Sequence, residues 1–253
     1  MFLDGVSSTA RVIELVNNDY ASVQGVLVLN PARVEMKSNT WASYRERTAF
    51  AQDPLLNISV QISDSEGAEN IDGLRLLILH ETGHLIATQM RLMPETYADA
   101  DPEDTKNFSY LQFGWKFEGD SRVSLFDTVM PTRSKVSFYS DSPRLLSADA
   151  GPSYKSLKNT SYVSLYGATA THEDFAESFA HYVHSVVLKR PYRVLLNGMQ
   201  ILGSCYKEKR CDGKKAYFEQ VMKLLERDTL SAKVRTEGEA PGREGKSMLS
   251  RAS

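Results

Sequence analysis

The 253-residue chain is poor in cysteine and tryptophan, with two of each, and it has no sustained apolar run. Its longest apolar cluster, residues 74–79, is broken by Arg75 and followed at once by His80 and Glu81. That falls far short of the roughly 18 apolar residues a membrane span requires, so no transmembrane segment is expected. No charge of one sign dominates: 30 Lys and Arg against 32 Asp and Glu give a formal net charge of −2. Without a basic stripe, nucleic acid is not an expected partner. Met1-Phe2-Leu3-Asp4 lacks the basic segment and long apolar core of a signal peptide. The chain therefore reads as cytosolic, or as one whose leader has been removed.

The two cysteines bear on that choice. Cys205 and Cys211 lie in a polar segment bounded by Gly203 and Gly213, an unlikely home for structural free thiols. A Cys205–Cys211 disulfide is expected, and with it an oxidising compartment, extracellular or periplasmic. Neither cysteine belongs to a CxxC pair, so sulfur is not expected to bind a metal.

What is present, 42% hydrophobic and 25% charged residues, fits a soluble globular domain. Periodicity predicts a short helix over 9–18 with Val12, Leu15 and Val16 on one face, and a strand over 23–29 ending at Asn30-Pro31. Residues 55–63 alternate, with Ile58, Val60 and Ile62 on one face of a half-buried strand. A long helix follows over 72–92, with Asn70 or Asp72 as N-cap. Residues 95–165 read as an irregular insertion over a cleft, with short strands near 114–117 and 135–139. Further helices are predicted over 171–189, 191–202 and 214–227. The fold class is α+β, mostly helical, with a small sheet before the 72–92 helix. A single domain over 1–235 is expected, with 236–253 a disordered tail.

The informative segment is His80-Glu81-Thr82-Gly83-His84, an HExxH pattern inside the 72–92 helix. Residues four apart on a helix lie about 40° apart with a rise of roughly 6 Å, so both imidazoles can reach one ion. Glu81 projects about 100° from His80, beside the metal, where it can act as general base on a water. Gly83 costs helix stability, which suggests close packing against the backbone there. A catalytic zinc takes three protein ligands as a rule. Ala87 and Met90 stand where a metzincin has glycine and histidine, so the third ligand must come from elsewhere.

A second segment, Tyr166-Gly167-Ala168-Thr169-Ala170-Thr171-His172-Glu173-Asp174-Phe175-Ala176-Glu177, supplies candidates. Together with HExGH it resembles the gluzincins of the anthrax lethal factor and Pro-Pro endopeptidase group. The resemblance covers two short stretches. It implies a zincin-like fold, one zinc per chain held by His80, His84 and Glu173, and oxyanion assistance from Tyr166. Glu177 would orient a zinc-bound histidine. It also implies that the strand over 55–63 pairs with a peptide or protein substrate. His172 is a rival ligand to Glu173, and Tyr162 a rival to Tyr166. His181 and His184 lie too far along the helix to share the metal and read as packed or supporting histidines. Trp41, Trp115 and Tyr182 read as core or cleft-lining aromatics. The expected function is zinc-dependent peptide hydrolysis; hydrolysis of a non-protein amide, or zinc-stabilised binding without turnover, are the alternatives.

Overall fold

The computed structural model describes residues 10–16, 22–64, 70–94, 104–119 and 121–238. Its elements in chain order are β1 (Ala10–Val16), β2 (Ser22–Leu29), α1 (Pro31–Val34), α2 (Ser38–Arg47), β3 (Ile58–Gln61), α3 (Ile71–Gln89) and α4 (Asp104–Asn107). There follow β4 (Trp115–Glu118), β5 (Ser121–Ser124), α5 (Ala150–Leu157), α6 (Thr171–Tyr182), β6 (Arg193–Leu196), β7 (Met199–Gly203) and α7 (Asp212–Gly238), with short 3-10 turns between. The chain divides into two compact units, one through Ala216 and one from Tyr217 onward. The second unit consists, in its described part, of most of α7. Every candidate site residue lies in the first unit. The fold is mixed α and β, with three small antiparallel sheets ordered β1-β2, β3-β6-β7 and β4-β5.

The core of the first unit forms where α3 meets α6. Phe175, Ala176, Phe179 and Ala180 of α6 are buried, as are Leu76, Leu77 and Ala87 of α3. Alternation in β3 buries Ile58 and Val60 and leaves Ser59 and Gln61 half-buried, as period-two patterning requires. Glycine sets the distance between the two helices. A Cβ on Gly83 would stand 2.8 Å from Ala176 Cα and 3.2 Å from its carbonyl oxygen. Those are backbone atoms that cannot step aside, so only a residue without a Cβ allows this approach.

Three predicted elements differ. Residues 10–16 form β1, not a helix: they pair antiparallel with β2 from Ala10↔Leu29 onward, and Val12, Ile13 and Val16 are β-branched residues that suit a strand. Residues 9, 17 and 18 of the predicted helix lie outside the described residues. The helix predicted over 191–202 is the β6-β7 hairpin, turned by Asn197 (φ 50) and Gly198 (φ 82). Two successive positive φ values make the Asn-Gly turn that joins twisted strands. No strand forms over 135–139: a 3-10 turn occupies Arg133–Lys135, and Tyr139 adopts φ 57, a left-handed conformation incompatible with an extended run. The last helix runs to Gly238; the rest of the predicted tail, and residues 95–103 of the predicted insertion, lie outside the described residues.

The described part of the insertion packs into the core. Tyr110 donates its hydroxyl to the Asp174 carbonyl at 2.9 Å, and Trp115 Nε1 donates to Asp174 Oδ2 at 3.1 Å. Cys205 and Cys211 form the expected disulfide, with Cα atoms 5.7 Å apart. No described helix is long and apolar enough to cross a membrane.

Candidate metal centre

The HExxH segment lies mid-way along α3, and Glu173 sits in the first turn of α6. The close crossing at Gly83 and Ala176 brings the two together. His80 Nε2 is 3.2 Å from His84 Nε2 and 3.2 Å from Glu173 Oε2, and His84 Nε2 is 3.6 Å from the same oxygen. These three residues are the one group of potential ligands that converges among the described residues.

The tautomer of His80 decides what this convergence means. Its Nδ1 lies 2.9 Å from Glu177 Oε1, so Nδ1 carries a proton, and Nε2, whenever it holds none, presents a lone pair toward His84 and Glu173. Glu173 Oε2 is buried without an aligned hydrogen-bond donor. Lone pairs gathered this way repel unless a proton or cation sits among them. A tetrahedral ion with ligand bonds of about 2.0–2.1 Å holds its ligand atoms about 3.3 Å apart, which matches the observed spacings. The residues fit a zinc-sized divalent ion.

Electrostatics agree with the geometry. Burial opposes charge on His80, but Glu173 and Glu177 outweigh it and push its pKa up to about 10. Burial likewise works against the Glu173 carboxylate, and the two imidazoles overcome it to hold the group well below the usual range. Both directions mark a pocket that favours positive charge.

Glu177 is the hub behind the candidate ligands. Besides His80 it accepts from the Ser164 hydroxyl at 2.6 Å and from Arg45 Nη2 at 2.7 Å, with His181 Nε2 at 3.5 Å. It is 1% exposed, yet its carboxylate stays ionised because Arg45, His181 and His80 outweigh the cost of burial. Such an acceptor fixes the tautomer and ring angle of the histidine it holds.

The rival assignments separate cleanly. His172 donates Nε2–H to the Pro94 carbonyl at 2.7 Å and keeps Nδ1 beside Thr171 Oγ1; neither nitrogen joins the cluster. Tyr162 is fully buried, with its hydroxyl engaged by the Gly114 carbonyl and Ser124 Oγ. Tyr166 instead packs edge-on against His80, with ring centroids 5.5 Å apart, and Phe138 also packs against its ring at 4.9 Å. Burial, then the Glu173 charge, keep its phenol protonated, the state needed of a donor. Glu81 is buried on α3 beside His80.

His181 packs edge-on against Tyr192 at 4.2 Å, and His184 sits in a π-helical turn, Val183–Val187, with Nε2 on the Pro191 carbonyl at 3.0 Å. Neither belongs to the converging group. Trp41, Trp115 and Tyr182 are buried.

Two features escaped sequence reasoning. Arg45 and Ser164 both hold Glu177, and nothing in their local sequence marks them. Also, β3 does not offer a free edge. Its Val60 N–H donates to Ser43 Oγ at 2.8 Å, and the Ile62 and Ser63 N–H groups donate to Asn39 Oδ1 at 2.8 and 3.0 Å. Side chains of α2 thus occupy the edge that the resemblance reserves for substrate. A groove of about 1320 Å³ bordered by Arg33, Tyr44, Thr48, Tyr139 and Pro143 lies elsewhere in this unit, and none of the three candidate ligands lines it.

Compared with protein-family models, with curated proteins and with solved structures, the chain matches none.

Proposed function

We propose that the chain is a zinc-dependent peptidase of gluzincin type, built on a zincin-like pairing of α3 and α6. The observation that carries this reading is the convergence of His80 Nε2, His84 Nε2 and the buried Glu173 Oε2 at ligand spacing. When bound, zinc supplies a Lewis acid that polarises a carbonyl and acidifies a water.

The chain's own residues do the rest. His80 and His84 present neutral nitrogens, and Glu177 keeps the His80 proton on Nδ1. The Glu81 carboxylate takes a proton from the attacking water and delivers it to the leaving amine. Tyr166 donates its phenol proton in a hydrogen bond to the oxygen on which negative charge develops. The disulfide supports an oxidising compartment for this activity, extracellular or periplasmic.

Elemental analysis of the purified chain should find about one zinc per chain, since the donor set is that of a catalytic zinc site. Peptide pools should be cleaved, with cleavage lost to chelator and restored by zinc. Zinc without cleavage of any pool would replace this reading with binding alone, and cleavage confined to non-peptide amides would change the substrate class. No transition metal after zinc is offered would sink it.

Tyr166 can be tested separately. A donor that strengthens only as charge develops acts on kcat, and losing one typically lowers the rate by about 10²–10³-fold. Tyr166→Phe should therefore reduce kcat with KM and zinc content nearly unchanged. A silent substitution, checked by steady-state kinetics, would reduce Tyr166 to a packing residue.

A further inference from the structure

Arg45 lies on α2, outside the ligand set, yet it touches two members of the centre at once. Its Nη2 donates to Glu177 Oε1 at 2.7 Å, and its guanidinium carbon stands 4.5 Å from the Tyr166 ring centroid. Trp41 lies on α2 at 5.8 Å from the same carbon, so the planar group is bordered by aromatic rings. The side chain is 12% exposed.

These contacts join two separate arms. Glu177 Oε1 is the oxygen that also takes the His80 Nδ1 proton. Tyr166 is the ring that packs edge-on against His80. Building on the metal-centre reading, we infer that Arg45 is a positioning residue that couples these arms, holding the Glu177 carboxylate against His80 and setting the plane of Tyr166. The first task needs a positive charge within hydrogen-bond reach. Removing it leaves a buried carboxylate short of its strongest counter-charge, free to turn away from His80 or to take up a proton. The second task needs a flat cation that can lie on an aromatic face, which a guanidinium does and an ammonium does poorly.

That difference makes the two tasks separable. In the full chain, Arg45→Met should lower zinc affinity by about 10-fold or more, the usual cost of losing an outer partner of a metal-bound histidine. It should lower kcat as well. Arg45→Lys keeps the charge but not the stack: zinc affinity should return to within about 3-fold of the parent while kcat stays about 10-fold down at little-changed KM. A residue that merely supported the fold would move both readouts together. Zinc affinity is read by competition with a chromophoric chelator, and folding by melting without metal.

The unsubstituted chain and the variants answer different questions. If the unsubstituted chain binds no zinc, the metal-centre reading falls on its own. The low-field His80 Nδ1 proton, followed by NMR in the zinc-free chain, then decides for Arg45: faster exchange in Arg45→Met supports the coupling, and an unchanged signal overturns it. If the chain binds zinc and Arg45→Met matches it in affinity and kcat, the inference is wrong while the metal centre stands. Arg45→Lys behaving like Arg45→Met in both readouts also overturns it.

Discussion

Glu81→Gln is expected to keep zinc and lose nearly all turnover. The substitution preserves shape and buried volume on α3, where Glu81 is 6% exposed, and it leaves all three converging ligand atoms untouched. What it removes is basicity. An amide oxygen cannot hold the proton of the attacking water, and a positioned general base contributes typically about 10²–10⁴-fold. In the proposed mechanism Glu81 serves twice, taking a proton and then giving it up, so the loss should fall at the upper end of that range. Zinc stoichiometry and single-turnover rates on any cleaved peptide check the two halves independently. Near-parental turnover would put the base elsewhere. Loss of zinc would instead mean that Glu81 shapes the ligand set.

Glu173→Ala and His172→Ala should behave in opposite ways although the two residues are adjacent. Removing Glu173 deletes one of the three proposed ligands and leaves His80 and His84 facing each other at 3.2 Å without an anion. Zinc affinity should fall by more than the roughly 10–100-fold expected for loss of an outer partner. Removing His172 breaks a neutral hydrogen bond to the Pro94 carbonyl, worth about 0.5–1.5 kcal/mol. Stability should dip, with metal affinity close to the parental value. Chelator competition on both variants measures the contrast, and a reversed ranking would make His172 the ligand.

Local signals explain what could be read in advance. His80, Glu81 and His84 declare themselves because their spacing and their apolar helix lie within a few residues of each other. The alternation of Ile58, Val60 and Ile62 gave away β3 for the same reason, and the Gly83 contact followed from a glycine in a helix interior. The helix expected over 191–202 gives way to a hairpin because Asn197-Gly198 supplies the two positive φ values that turn one strand into the next. The 10–16 segment was misread because pairing with residues 22–29 settles its conformation, and a partner strand is not visible in a short window.

Tertiary partnerships were beyond reach for a different reason. Arg45 sits in a helix of mostly polar residues, and its role comes from meeting Glu177 and Tyr166, both more than a hundred positions later. Ser43 and Asn39 appear as ordinary helix residues until α2 lies along β3 and satisfies its outer N–H groups. Such roles depend on docking, which periodicity does not encode.

One buried pair has a consequence for how the protein is made. Asp174, next to Glu173, is fully buried, and its counter-charge is Lys214, 40 residues downstream and also fully buried. Burial pushes the Asp174 carboxyl up and the Lys214 ammonium down, and each charge restrains the other's shift. Leaving one partner of such a pair alone costs about 3–5 kcal/mol. During synthesis, His80, His84 and Glu173 all leave the ribosome before Lys214 does. Until then α6 cannot bury Asp174 against its counter-charge, and Glu173, the proposed metal ligand beside it, is not yet held in place. The proposed metal centre is therefore expected to become stable only after the segment that carries Lys214 has been made.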